Sequence, residues 1–125
     1  MKVLVVDDDP LIRISVAEGL RHRGDDVVVA NNGVEALSLW SDGEFDAVVA
    51  DVRMPEMSGI ELAKEIRASE STRAGLVLDR LVALTGSASA VWDIDVYEQF
   101  DSVLMKPASA DSIYDAVRGL WRTPV

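Results

Sequence analysis

Four short aliphatic runs in this chain end in residues that can do chemistry. Asp7 and Asp8 follow Val3-Leu4-Val5-Val6, Asp51 follows Ala47-Val48-Val49-Ala50, Thr85 follows Leu81-Val82-Ala83-Leu84, and Lys106 follows Ser102 to Met105. Adjacent carboxylates such as Asp7 and Asp8 repel each other and need a cation or a basic side chain close by. Three carboxylates, a hydroxyl and an ammonium gathered in one place suit a hard divalent cation, because compact oxygen ligands completed by water favour Mg²⁺. A lysine ammonium there is a compact charge suited to a phosphoryl oxygen. Taken singly, each of these is an ordinary loop residue that solvates a turn. Their recurrence at four strand ends is what argues for one site.

The elements between them decide whether the residues meet. Short valine-rich runs read as strands buried on both faces. After the first, Asp9 caps a helix, Pro10 suits its opening position, Leu11, Ile14, Ala17 and Leu20 share a face, and Gly24 is the stop. Val27 to Ala30 is a further strand and Asn31-Asn32-Gly33 a turn. Val34, Leu37 and Trp40 are spaced for a helix that ends near Gly43. Beyond Asp51, Pro55 forbids helix, and Ser58 with Glu61 forms a capping box for a helix over about Gly59 to Ala68.

Residues 69–80 read as a long connection, in which Leu76-Val77-Leu78 either folds onto the core or forms an exposed patch. A weakly periodic helix is expected from about Ser89 to Glu98. A closing helix runs from Ser109 as cap through Ile113, Ala116, Val117, Leu120 and Trp121. Strands alternating with amphipathic helices predict an α/β fold, a parallel sheet covered on both faces. All strands then point the same way, so their C-terminal ends share one edge, where ligands bind in a crevice.

Composition narrows the functional classes. A length of 125 residues fits one domain spanning 1–125. No apolar run approaches the roughly 18 residues that span a bilayer, and no signal-peptide pattern opens the chain, so a soluble, cytoplasmic protein with no membrane contact is expected. There is no cysteine, which excludes disulfides, thiolate metal sites and cysteine nucleophiles. A net charge of -10 with 22 acidic residues argues against direct nucleic-acid binding, which needs a basic patch. His22, the only histidine, falls on a polar face and reads as a surface residue.

Val5-Val6-Asp7-Asp8-Asp9, Asp51 with Met54-Pro55 and Ser58-Gly59, Leu84-Thr85-Gly86 and Lys106-Pro107 together resemble the response-regulator receiver domains of two-component signalling, the CheY-like family. The likeness covers essentially all of residues 2–122. It implies a doubly wound (βα)5 fold with flavodoxin-like strand order 2-1-3-4-5. It also implies a signalling phosphoacceptor, not a turnover enzyme, with Asp51 taking a phosphoryl group from a sensor histidine kinase or histidine phosphotransfer protein. By position, Asp8 and Asp51 would bind Mg²⁺ with their side chains, Arg53 through its carbonyl, and Asp7 largely through water. Thr85 would hydrogen-bond the phosphoryl group, Lys106 would pair with it, and Lys106-Pro107 would be a cis peptide. An output domain or effector protein would carry the signal onward, and no output domain is expected within the chain after Trp121.

The chain departs from the family pattern at several places. Val103 stands where an aromatic residue is common, a frequent glycine is missing from Tyr97 to Asp101, and the connection before the fourth strand is long. Arg53 and Ser87 occupy places that influence phosphoryl lifetime in the family. A metal-dependent phosphohydrolase with an aspartyl nucleophile is the rival from another class, but it would carry its nucleophile on the first strand and a second Asp where Arg53 stands. A non-phosphorylated receiver-like scaffold is disfavoured by the intact Asp8, Asp51, Thr85 and Lys106.

Overall fold

The computed structural model describes residues 1–72, 80–86 and 93–120. Strands β1 (Lys2–Val6), β2 (Asp26–Ala30), β3 (Ala47–Asp51), β4 (Arg80–Thr85) and β5 (Ser102–Met105) alternate with helices α1 (Pro10–His22), α2 (Gly33–Asp42), α3 (Gly59–Thr72), α4 (Ile94–Gln99) and α5 (Ala110–Val117). The strands form one parallel sheet in the order β2-β1-β3-β4-β5. The alternating β and α pattern gives this arrangement because parallel neighbours need a crossover, and a helix is the usual one.

Side chains alternate across the sheet, so each strand feeds two cores. Leu4, Val6, Val48, Ala50, Leu81, Ala83 and Val103 meet α2, α3 and α4 through Trp40, Leu62, Ile66 and Val96. Val3, Val5, Val49, Val82, Leu84 and Leu104 meet α1 and α5 through Val16, Leu20, Ile113 and Val117. Asp9 caps α1 by accepting from Leu11 N, and Gly24 ends the turn beyond α1 with φ 96°. Both agree with the sequence reading.

Helix phase differs from it. Leu11 and Ile14 are exposed, at 78% and 57%, and α1 buries Val16, Ala17 and Leu20 with Ile12 partly covered. Residues on a helix advance by about 100° each, which puts Leu11 and Ile14 opposite the stripe of Ile12, Val16 and Leu20. Val34 is likewise exposed while Ala36 and Trp40 are buried.

Helix α3 continues four residues past Ala68. Within that extension Ser69 Oγ accepts from Trp40 Nε1 and donates to Ile66 O, both at 2.8 Å, so it ties α3 to α2. At the other end of the chain, α5 stops at Val117 and Leu120 is exposed. Leu76-Val77-Leu78, Ser87, the expected start of the fourth helix at Ser89 and Trp121 lie outside the described residues. No described helix is long and apolar enough to cross a membrane.

Candidate functional site

Asp7, Asp51, Thr85 and Lys106 reach the same sheet edge because the strands that carry them are parallel neighbours. In register, Val6 lies beside Ala50, Asp51 beside Leu84, and Thr85 beside Met105. Carboxylate oxygens of Asp7, Asp8 and Asp51 all lie within 4.8 Å of one another. Asp7 and Asp51 are buried and Asp8 is exposed, so the cluster has a closed floor and one open acid.

The lysine lies between the two buried acids. Lys106 Nζ is 2.8 Å from Asp7 Oδ2 and 3.3 Å from Asp51 Oδ2. Asp7 Oδ2 is sealed from solvent with no hydrogen bond of ordinary geometry, and this ion pair is its compensation. The other Asp7 oxygen accepts from Asp9 N at 2.9 Å. Arg13, on the first turns of α1, donates from Nη1 to the Asp7 carbonyl at 2.9 Å. Sequence reading passed over Arg13, and its signal was a charged residue inside the apolar run Leu11 to Ile14.

The loop after β3 is shaped by close backbone approach. Arg53 N donates to Asp51 Oδ1 at 3.4 Å, and Gly59 N donates to Val52 O at 2.8 Å. A Cβ at Gly59 would stand 2.1 Å from the Asp51 carbonyl, so glycine is required there. Ser58 Oγ accepts from Glu61 N at 3.2 Å, which is the expected cap. Thr85 is buried at the end of β4, where its carbonyl accepts from Lys106 N at 2.8 Å. Lys106-Pro107 is cis, as the family resemblance implied. His22 is exposed, and Val103 is buried opposite Ala83.

Residues 3–118 match the family described as response regulator receiver domain. The chain belongs to that family. Response regulator MprA of Mycobacterium sp. (strain KMS) is 35% identical over 122 residues, covering 98% of this chain and 51% of the relative. A response regulator receiver protein of Anaeromyxobacter sp. (strain Fw109-5) is 38% identical over 114 residues, covering 91% of this chain and 46% of the relative. The chain thus spans about half the length of these curated relatives. Among solved structures, Vibrio cholerae chemotaxis protein CheY4 superposes with TM-score 0.82 at 29% identity, covering 95% of this chain and 97% of that one. Response regulator protein TrrA of Thermotoga maritima, solved in complex with Mg(2+)-BeF, gives TM-score 0.82 at 32% identity with the same coverage.

The electrostatics of the receiver domain follow from burial. Desolvation raises the Asp51 pKa, Lys106 pulls it down, and the charge of Asp7 pushes it up. For Lys106, burial lowers the pKa, but its close ion pair with Asp7 and the charge of Asp51 outweigh that and raise it. The lysine is therefore held as ammonium. The donor set fits a hard divalent cation: all three side chains offer carboxylate oxygen, and the cluster contains no nitrogen or sulfur ligand.

Proposed function

We propose that this receiver domain, a single domain over residues 1–125, takes a phosphoryl group onto Asp51 from a phosphohistidine. The donor is a sensor histidine kinase or a histidine phosphotransfer protein, and the setting is cytoplasmic. The carrying observation is the convergence of Asp7, Asp8 and Asp51 within 4.8 Å around a lysine ammonium. Asp51 is the nucleophile. It is the buried acid that closes β3, within reach of both the Asp7–Asp8 pair and Lys106, and its Oδ1 accepts from the Arg53 amide.

Asp8 and Asp51 would hold Mg²⁺ by their side chains, Arg53 by its carbonyl, and Asp7 through water. The ion would offset charge on the equatorial phosphoryl oxygens, the main requirement of phosphoryl transfer. Lys106 pairs with one of those oxygens, and the Thr85 hydroxyl donates to another. An effector or output domain then reads the change around Thr85.

The test is intact-mass measurement after incubation with an acyl phosphate and Mg²⁺. One added phosphoryl group is expected on the wild type and none on Asp51→Asn. Full labelling of Asp51→Asn would defeat the assignment.

A further inference from the structure

We propose that Arg13 is the positioning residue for Asp8: by holding the carbonyl of Asp7, its guanidinium aims the exposed acid into the cluster. This rests on the reading of the cluster as a Mg²⁺ site. The other two acids are placed by the sheet. Asp51 belongs to β3, and Asp7 extends the pairing of β1 with β2 by donating from its amide to Ala30 O at 3.3 Å. Asp8 lies beyond that pairing, is exposed, and has no hydrogen-bond partner for its carboxylate among the described residues. Yet one of its oxygens lies within 4.8 Å of those of Asp7 and Asp51.

What directs Asp8 is the backbone on either side of it. Peptide units are planar, so the direction of a side chain follows from the two planes that flank its Cα. The plane before Asp8 carries the Asp7 carbonyl, which accepts from Arg13 Nη1 at 2.9 Å. The plane after it carries the Asp9 amide, which donates to Asp7 Oδ1 at 2.9 Å. Arg13 is well anchored for its part, because it sits in the first turn of α1 and its own amide donates to Asp9 O at 3.0 Å. Side chain and backbone of one residue thus grip the carbonyls on both sides of Asp8. A hydrogen bond from a guanidinium is charge-assisted and of the stronger kind. Supports of this sort behind a metal ligand are worth roughly ten- to a hundredfold in affinity.

The experiment compares the 125-residue chain with Arg13→Met and Arg23→Met. Methionine keeps an unbranched stem and good helix propensity at position 13. Arg23→Met removes the same charge at the far end of α1 and breaks the ion pair to Asp111 at 2.7 Å, so it reports what loosening that helix does by itself. Calorimetric Mg²⁺ titration reads affinity, and ¹⁵N relaxation of the metal-free proteins reads the order of the Asp8 and Asp51 amides. Arg13→Met is expected to bind Mg²⁺ about tenfold more weakly and to lower the Asp8 order parameter, with Asp51 unchanged. Loss of a positive charge would by itself tighten binding, so equal or tighter binding overturns the positioning role. An equal loss of affinity in Arg23→Met overturns it too, as does an Asp8 order parameter that stays at the wild-type value. If wild type takes up no Mg²⁺, the cation reading fails, while the Asp8 order parameter still decides whether Arg13 holds the backbone of that acid.

Discussion

Burial lifts the Asp51 pKa, while Lys106 pulls it down and Asp7 pushes it up. The unfolded chain releases that proton at ordinary carboxylate pH, whereas the folded chain keeps it to higher pH. Stability contributed at this position therefore falls as pH rises through that window and stays lower above it. Asp51→Asn should stabilise the metal-free domain at neutral pH, and the gain should vanish below the ordinary carboxylate range. Urea melts of both proteins at neutral and acidic pH check this, and equal stability at neutral pH would contradict it. Lys106 behaves oppositely: its contribution is complete below the ordinary lysine pKa and is lost only in strong alkali. For the cation itself, Asp8→Ala should weaken Mg²⁺ by more than roughly tenfold and Asp7→Ala by clearly less, because on the proposed ligand set Asp8 binds directly and Asp7 only through water. Equal losses would mean the two acids share one role. The acids and the lysine were legible in the sequence because each closes an aliphatic run. Arg13 was not, since nothing in a linear pattern says that a helical guanidinium turns back to the carbonyl of the loop before it.

At the scale of elements, the loop from Asp51 to α3 is where backbone geometry sets the site. A Cβ at Gly59 would meet Asp51 O at 2.1 Å and Val52 Cα at 2.9 Å, all backbone atoms that cannot yield by rotating. Gly59→Ala should therefore cost about 3 kcal/mol or more and disturb Asp51 as well. A melting temperature like wild type would refute this. Glu56, exposed in the same loop, has φ 68°, a left-handed conformation that a side chain adopts at a cost. Glu56→Gly relieves that cost but adds freedom to the unfolded chain, so a net gain of up to about 1 kcal/mol is expected, read as a small rise in melting temperature. Element types and order were readable from apolar patterning together with cap and turn residues, whereas helix phase was not. Leu11 and Ile14 are as apolar as Ile12 and Val16, and only the seat of α1 on the sheet decides which pair is covered. The length of α3 was hidden for a related reason. Ser69 looks like a loop residue, but Trp40 from α2 gives its hydroxyl a partner that local sequence does not show.

The molecule as a whole is two helical layers on one sheet, and the layers are unequally placed to read the crevice. Strand order 2-1-3-4-5 came from family resemblance, because a period of two residues shows that strands are buried but not which are neighbours. Thr85 continues the alternation of Leu81 and Ala83, which face the layer of α2, α3 and α4, and Val103 faces the same layer beside Ala83. In that layer α4 is a single short helix that buries Val96, with Phe100 just beyond it. Arg67 of α3 holds its far end by donating from Nη2 to Gln99 O at 3.1 Å and pairing with Asp101 at 3.2 Å. A phosphoryl group on Asp51 adds a doubly charged acceptor at the sheet edge, and a hydrogen bond from Thr85 to such a group is among the stronger kinds. Val103 is small, buried and β-branched, with few rotamers to change between, so it is a poor lever. A two-state shift needs contacts that differ between the states, and on the proposed function Thr85 together with Lys106 would supply them. With a beryllofluoride mimic and Mg²⁺, amide chemical shifts should therefore change most from Thr85 to the start of α4. They should change little at Val103 and least in the α1–α5 layer. Thr85→Ala should still accept a phosphoryl group while losing most of that response. Large shifts at Val103 with Thr85 unmoved would show that this receiver switches through strand β5 instead.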